Sequence, residues 1–467
     1  MSSPKRASNI TVPPGWEMAC ALEAARREGD TIHFHPAALD VVVDSPVLAG
    51  RHFRVVELDE QVRLNIAGDR ADLLAASDEQ IAPHAALVRE SDALFGARHF
   101  DHFEILLALS EDLTGAGIEH HRSCEAVSIS NYFTDWETTF ARRDTLPHEY
   151  VHSWNGKHRK GSDSWQPCFE KPIRNSLMWV YEGQTEYWSR VLCARSGLWT
   201  AAQARESLAV TAATFSLRPG SRWRPLIDTT RDPIIAARAP LPWKSWQRSE
   251  DYYPEGALIW LDVDTLLREL SGDTRSLDDF ARSFFGADDN GPVTNTYRFE
   301  DVIGALDAIA PYDWVELFER HLTQRHDDAP IGGLERGGYR LVYRGEPSAF
   351  TTSSQAVFGT IDHNFSIGLS LSKDGEVKDV LWEGPAYHAG ITTGSKIVAI
   401  GSRAFDLEVL DEGIAATAKD APLQLTIKSA SHVREVVLEY AGGLRHPHLE
   451  RIEGARPRLD DILAPIS

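Results

Sequence analysis

Near Leu146 the spacing of apolar residues changes, and that change limits what this chain can fold into more than any other feature of it. Before it, residues 31–67 carry alternating or β-branched runs, such as Asp40-Val41-Val42-Val43-Asp44 and His52-Phe53-Arg54-Val55-Val56, which predict short strands. Phe103-Glu104-Ile105-Leu106-Leu107-Ala108-Leu109 is apolar enough to be a strand inside a sheet. After Leu146, apolar residues recur at three and four over 177–196, 254–270, 276–285 and 311–324, the period of a buried helical face. A β part followed by a helical part is an α+β arrangement.

A third texture begins after Gly333. Gly337, Gly338, Gly345 and Thr351-Thr352-Ser353-Ser354 read as a linker. Short β-type runs then continue to about Tyr440, with one helical stretch over 411–419, and predict a small separate β-rich domain. A chain of 467 residues, 42% of them hydrophobic, has enough apolar surface for two or three cores.

The formal charge of −21 argues against a grip on nucleic acid or on an anionic membrane surface. No window approaches about eighteen uninterrupted apolar residues, so no membrane span is expected. Residues 1–11 carry Lys5 and Arg6 without an apolar run behind them and do not read as a secretory signal. Cys20, Cys124, Cys168 and Cys193 lie far apart with no C-x-x-C spacing, which excludes a thiolate zinc finger and a disulfide scaffold. The expectation is free thiols in a reducing, cytoplasmic compartment.

The chemistry is carried by His148-Glu149-Tyr150-Val151-His152-Ser153-Trp154. On a helix, residues four apart share a face, so the two imidazoles reach one ion while Glu149 sits beside them. A catalytic zinc takes three protein ligands and keeps one position open for water. The third ligand is sought in Trp179-Val180-Tyr181-Glu182-Gly183-Gln184-Thr185, where Glu182 opens a helical pattern. Glu186, one turn further on, is the rival ligand, or an acceptor for a histidine N–H. With either carboxylate, Glu149 is the general base for attack of a metal-activated water on a carbonyl.

These strings resemble those of the glycyl aminopeptidases, PDZ-bearing zinc peptidases related to the thermolysin-like gluzincins. The resemblance covers the chain from about Pro14 onward. His148 through Asn155 is similar to that family's metal helix, and the segment from Trp179 to Thr185 to the one bearing its glutamate ligand. This implies one Zn2+ on His148, His152 and Glu182. Ala116-Gly117-Ile118-Glu119-His120 resembles a segment that binds substrate, which implies that Gly117 and Glu119 line the subsite and that Glu119 receives a free amino terminus. Tyr252-Tyr253-Pro254-Glu255-Gly256 is similar to the family's Tyr-Tyr-x-Lys-Gly, which implies that Tyr253 donates to the oxyanion. Near the end, Phe365-Ser366-Ile367-Gly368-Leu369 resembles a PDZ carboxylate-binding loop, with Phe365, Ile367, Gly368 and Leu369 as its peptide-binding positions.

The resemblance therefore implies a thermolysin-like catalytic domain over 61–340, preceded by a remnant of an N-terminal β-domain over 1–60. A PDZ-like domain over 350–445 and a tail over 446–467 complete the expected division. Ala116 and Glu255 stand where the family has glycine and lysine, near the implied substrate contacts. The activity implied is removal of small N-terminal residues, glycine or alanine, from peptide substrates. The alternatives are a zinc endopeptidase or oligopeptidase, and a catalytically impaired protein that binds a peptide ligand through its PDZ-like domain. The oligomeric state is not legible.

Overall fold

The computed structural model describes residues 5–113, 117–168, 170–232, 243–287 and 291–467. Its centre is a five-stranded mixed sheet ordered Gly117–Glu119, Ser123–Ser128, Phe103–Leu109, Val62–Gly68, His52–Glu57. The seven residues of Phe103–Leu109 are all buried between two parallel neighbours, as an almost wholly apolar strand requires. Its one charged residue, Glu104, is tolerated there because Arg63 and Asn65 on the next strand both donate to its carboxylate. Gly117–Glu119 is antiparallel to Ser123–Ser128 and forms the edge of the sheet.

The helices pack on this sheet around one aromatic-rich core, in which Trp154, Trp179, Trp188, Trp199 and Trp260 are fully buried. Pro254–Leu270 is the central helix, buried on all sides from Glu255 to Leu267. Its internal carboxylates are paired: Asp264 accepts from Tyr187 at 2.5 Å and from Arg268 at 3.1 Å. Asp78–Phe95 starts with a capping box between Ser77 and Gln80, and Ala201–Leu217 with one between Thr200 and Gln203.

Several expected elements take another form. Asp40 to Asp44, read as a strand, instead forms a short helix, Leu39–Val43, and its C-cap, Asp44. Ala37–Ala38 and Val47–Gly50 on either side pair with different sheets, so the segment has no ladder to join, and β-branching yields to context. The 177–196 helix is broken at Glu182 into Met178–Tyr181 and Gly183–Ser196. The supposed linker holds a strand, Tyr339–Arg344, and a helix, Ala349–Phe358, in which Thr351 and Ser353 are buried. Residues 446–467, expected as a tail, return to the main body. His446–Arg451 pairs with Tyr339–Arg344, and Leu459, Ile462 and Leu463 enter the large core.

The strands Thr360–Asp362, Leu369–Ser372, Val377–Val380, Lys396–Ile400, Leu423–Ser429 and His432–Leu438 form two small sheets with the helix Leu407–Ala416. They enclose a second apolar core of their own, from Ile367 to Leu438. The molecule is thus a mixed α/β protein with β-rich units at both ends of the chain. No helix among the described residues is long and apolar enough to cross a membrane.

The C-terminal helix makes a direct stability prediction. Ile462→Ala removes a fully buried side chain and is expected to cost about 2–5 kcal/mol in urea unfolding; a cost within about 0.5 kcal/mol would mean that the segment is an appendage.

Candidate metal centre

Thr145–Val151 carries His148 and Glu149, and His152 closes its last turn. The outer nitrogen of each imidazole is already engaged. His152 Nδ1 donates to the Asn155 carbonyl at 2.8 Å, and His148 Nδ1 lies 3.1 Å from the Glu186 carboxylate, which also holds Arg190 at 2.8 Å. In a neutral imidazole a donating Nδ1 fixes the tautomer and leaves Nε2 as a lone pair, the form that a metal ligand takes. They point to one place: Glu182 Oε2 lies 3.3 Å from His148 Nε2 and 3.2 Å from His152 Nε2. That oxygen is buried and has no hydrogen-bond donor.

Three lone-pair atoms converging in a buried site repel one another unless a cation lies between them. The donor set of two imidazoles and one carboxylate is a zinc-type set, so the residues fit such an ion. Glu182 faces both Nε2 atoms, whereas Glu186 stands behind His148 on its Nδ1 side.

The second carboxylate pair lies beside this cluster. Atoms of Glu119, Glu149 and His152 fall within 4.8 Å of one another. Burial pushes the Glu149 carboxyl up to about 7, where a carboxylate both accepts and returns a proton near neutrality. The Tyr181 hydroxyl donates to Glu119 and orients it. Gly117 serves a purpose that its spacing did not suggest: a Cβ there would fall 1.9 Å from Glu149 Oε1, so the bare backbone makes room for that carboxylate. Ala116 lies outside the described residues.

Tyr253 caps the helix Pro254–Leu270, and its ring stacks on that of His148 with centroids 5.8 Å apart. Burial, reinforced by the negative field of Glu182, holds its phenol well above the ordinary value, so it remains a donor. Glu255 does not face the cleft. It is buried in an ion pair with Arg248, which removes it from the substrate contacts expected of it.

Two framework features escaped the sequence reading. Asn155 Nδ2 donates to the carbonyls of Val180 at 2.8 Å and Tyr181 at 3.2 Å, and to Thr185 Oγ1 at 3.1 Å. This ties the histidine segment to the helix break that turns Glu182 inward. Gly183 and Gly256 touch backbone to backbone, since a Cβ on Gly256 would fall 2.7 Å from the Gly183 Cα. That close crossing places Tyr253 beside Glu182. A glycine that follows a motif residue in both strings was the available signal.

The positions resembling a PDZ loop are arranged differently from a free peptide groove. Phe365, Ile367 and Leu369 are buried, and Gly368 turns the chain at φ 76°. Both edges of Leu369–Ser372 are already paired, with Thr360–Asp362 and with Val377–Val380.

Residues 141–259 match the family model of the M61 glycyl aminopeptidases, and residues 2–51 match that of the peptidase M61 N-terminal domain. Two separate segments of the chain thus resemble the M61 peptidases. The matched segment 141–259 contains both histidines, Glu182 and Tyr253, while the strand bearing Glu119 precedes it. Among solved structures, the aminopeptidase N family protein from Idiomarina loihiensis is 18% identical with a TM-score of 0.75, over 98% of this chain and 79% of that one. The fold is therefore shared nearly end to end. Yeast LTA4 hydrolase is 13% identical at TM-score 0.47, over 69% of this chain and 48% of that one. The M1 zinc metallopeptidase from Deinococcus radiodurans is 16% identical at TM-score 0.46, over 71% of this chain and 67% of that one. No curated protein matches the chain at significant similarity.

The Gly117 contact gives a test that leaves every ligand in place. Gly117→Ala is expected to retain stoichiometric metal while turnover falls about 100-fold, because the added methyl displaces Glu149; unchanged turnover would show that Glu149 has room elsewhere.

Proposed function

We propose that the protein is a zinc-dependent aminopeptidase that releases small N-terminal residues, glycine or alanine, from peptides. The observation that supports it most is the convergence of His148 Nε2, His152 Nε2 and Glu182 Oε2 in a buried site, with no hydrogen-bond donor on that carboxylate oxygen. Those three residues would hold the ion, with Glu186 and the Asn155 carbonyl orienting the imidazoles. When bound, zinc lowers the pKa of a water and polarises the scissile carbonyl.

The chain's own groups do the rest. Glu149 accepts the proton of the attacking water and returns it to the leaving amine, a double role suited to a carboxyl raised to about 7 by burial. Tyr253 donates its phenolic hydrogen to the developing oxyanion and, still protonated, carries no charge penalty. Glu119, clamped by Tyr181, pairs with the substrate ammonium. With Glu119 and Glu149 oxygens within 4.8 Å of each other, one residue spans the distance from an ammonium on Glu119 to the scissile carbonyl, which favours an aminopeptidase over an endopeptidase. The open edge of Gly117–Glu119 offers main-chain groups to align an extended peptide. The preference for glycine or alanine rests on the M61 resemblance alone.

We also propose that residues 350–445 form a PDZ-like unit. With both edges of Leu369–Ser372 occupied, it serves the catalytic body structurally and does not add a peptide strand at that position.

One paired experiment tests the assignment. Glu149→Gln should keep one zinc per chain and lose about 1,000-fold in kcat on alanyl anilides, while Glu119→Ala should lose activity on free-amino peptides but not gain any on amino-blocked ones. Loss of zinc in the first variant, or robust cleavage of blocked peptides by wild type, contradicts the proposal.

A further inference from the structure

The segment from Trp243 to Tyr253 delivers the tyrosine to the metal centre, and it is strained. Trp243, Arg248 and Glu250 hold φ values of 66°, 54° and 53°. Side chains other than glycine avoid this left-handed region, so three such residues in one short segment persist only if the surroundings impose the conformation. The segment's own regular structure is a single helical turn, Lys244–Gln247. The constraint therefore comes from outside it.

Two anchors supply it. Near the tyrosine, the buried Arg248 guanidinium pairs with Asp251 at 2.7 Å and with Glu255, and it donates to the Arg224 carbonyl at 2.7 Å. At the other end, the C-terminal β unit grips the segment through Trp382, which lies just beyond the strand Val377–Val380. Trp246 stacks on Trp382 with ring centroids 5.2 Å apart, and Trp243 meets it edge-on at 5.5 Å. The Trp382 backbone N–H donates to Ser245 Oγ at 2.9 Å, and Tyr387 closes the cluster against Trp243 at 5.2 Å. A contact needed only to hold two units together could fall on any surface. This one falls on the strained strap that ends at Tyr253.

We infer that Trp382 is a positioning residue for Tyr253: the C-terminal β unit clamps Trp243 and Trp246, and the clamped strap sets the tyrosine hydroxyl over the metal centre. The inference rests on the reading of Tyr253 as oxyanion donor. A packed aromatic cluster relaxes by a discrete jump and not by gradual yielding, so losing the Trp382 ring releases the strap. His148, His152, Glu182 and Glu119 stand on other elements and keep their places. The effect thus belongs in kcat, with KM and zinc content unchanged.

The test measures kcat, KM and zinc content of the full-length protein on alanyl 4-nitroanilide, for Trp382→Ala, Trp382→Phe, Ser245→Ala, Tyr253→Phe and the Trp382→Ala/Tyr253→Phe double variant. Trp382→Ala should lower kcat about 10- to 100-fold with KM within about 2-fold, Trp382→Phe should recover most of it, and the double variant should be no slower than Tyr253→Phe. Unchanged kcat in Trp382→Ala, a matching loss of zinc, or losses that multiply in the double variant overturns the inference. If Tyr253→Phe itself keeps full kcat, the tyrosine's role fails and this inference falls with it, whereas a slow Tyr253→Phe beside a normal Trp382→Ala removes only the inference. Should Trp382→Ala not fold, Ser245→Ala decides: a kcat about 3-fold down at unchanged KM supports the clamp, and wild-type kcat overturns it.

Discussion

Two imidazole nitrogens and one carboxylate oxygen, all presenting lone pairs, face one another in the interior of this protein within 3.3 Å of the oxygen. Such an arrangement is costly unless a cation occupies its centre. Most of the surrounding framework can be understood as what it takes to hold it. The Asn155 carbonyl and Glu186 fix the tautomers, and Arg190 in turn neutralises Glu186. Asn155 also spends its side-chain amide on the carbonyls that end the helix Met178–Tyr181, so a single residue orients one histidine and steadies the break carrying Glu182.

The same economy governs the groups beside the cluster. Gly117 has no side chain because Glu149 takes that space, and Gly183 and Gly256 have none because two helices cross there at backbone distance. These glycines are contacts made by absence. They bring the edge strand of the sheet, the histidine helix and the tyrosine-bearing helix to one point, where burial raises both Glu149 and Tyr253, the directions that suit the base and the hydrogen-bond donor proposed above.

Much of this was legible from the chain. The apolar run Phe103–Leu109 and the period over 254–270 identify the central strand and the central helix because burial on all sides leaves a strong pattern. The spacing of His148 and His152 is a helical constraint, whereas the residues by themselves left Glu182 and Glu186 open, and the resemblance alone chose Glu182. What escaped has a common cause. Leu39–Val43 became helical, the glycine-rich stretch after Gly333 became ordered, and residues 446–467 folded back into the core, all through partners remote in sequence. Asn155 and Tyr181 stood in plain view within the motif strings, but their roles depend on carbonyls and a carboxylate that only the fold brings near.

The central claim is that His148, His152 and Glu182 form one metal site. X-ray absorption at the zinc K-edge on the zinc-loaded wild type and on Glu182→Ala tests it directly. The account predicts one tightly held ion with two imidazole nitrogens and oxygen ligands at about 2.0–2.2 Å, and loss of that ion in the variant. An ion bound through a single imidazole or through thiolate, or one retained unchanged without Glu182, would contradict it.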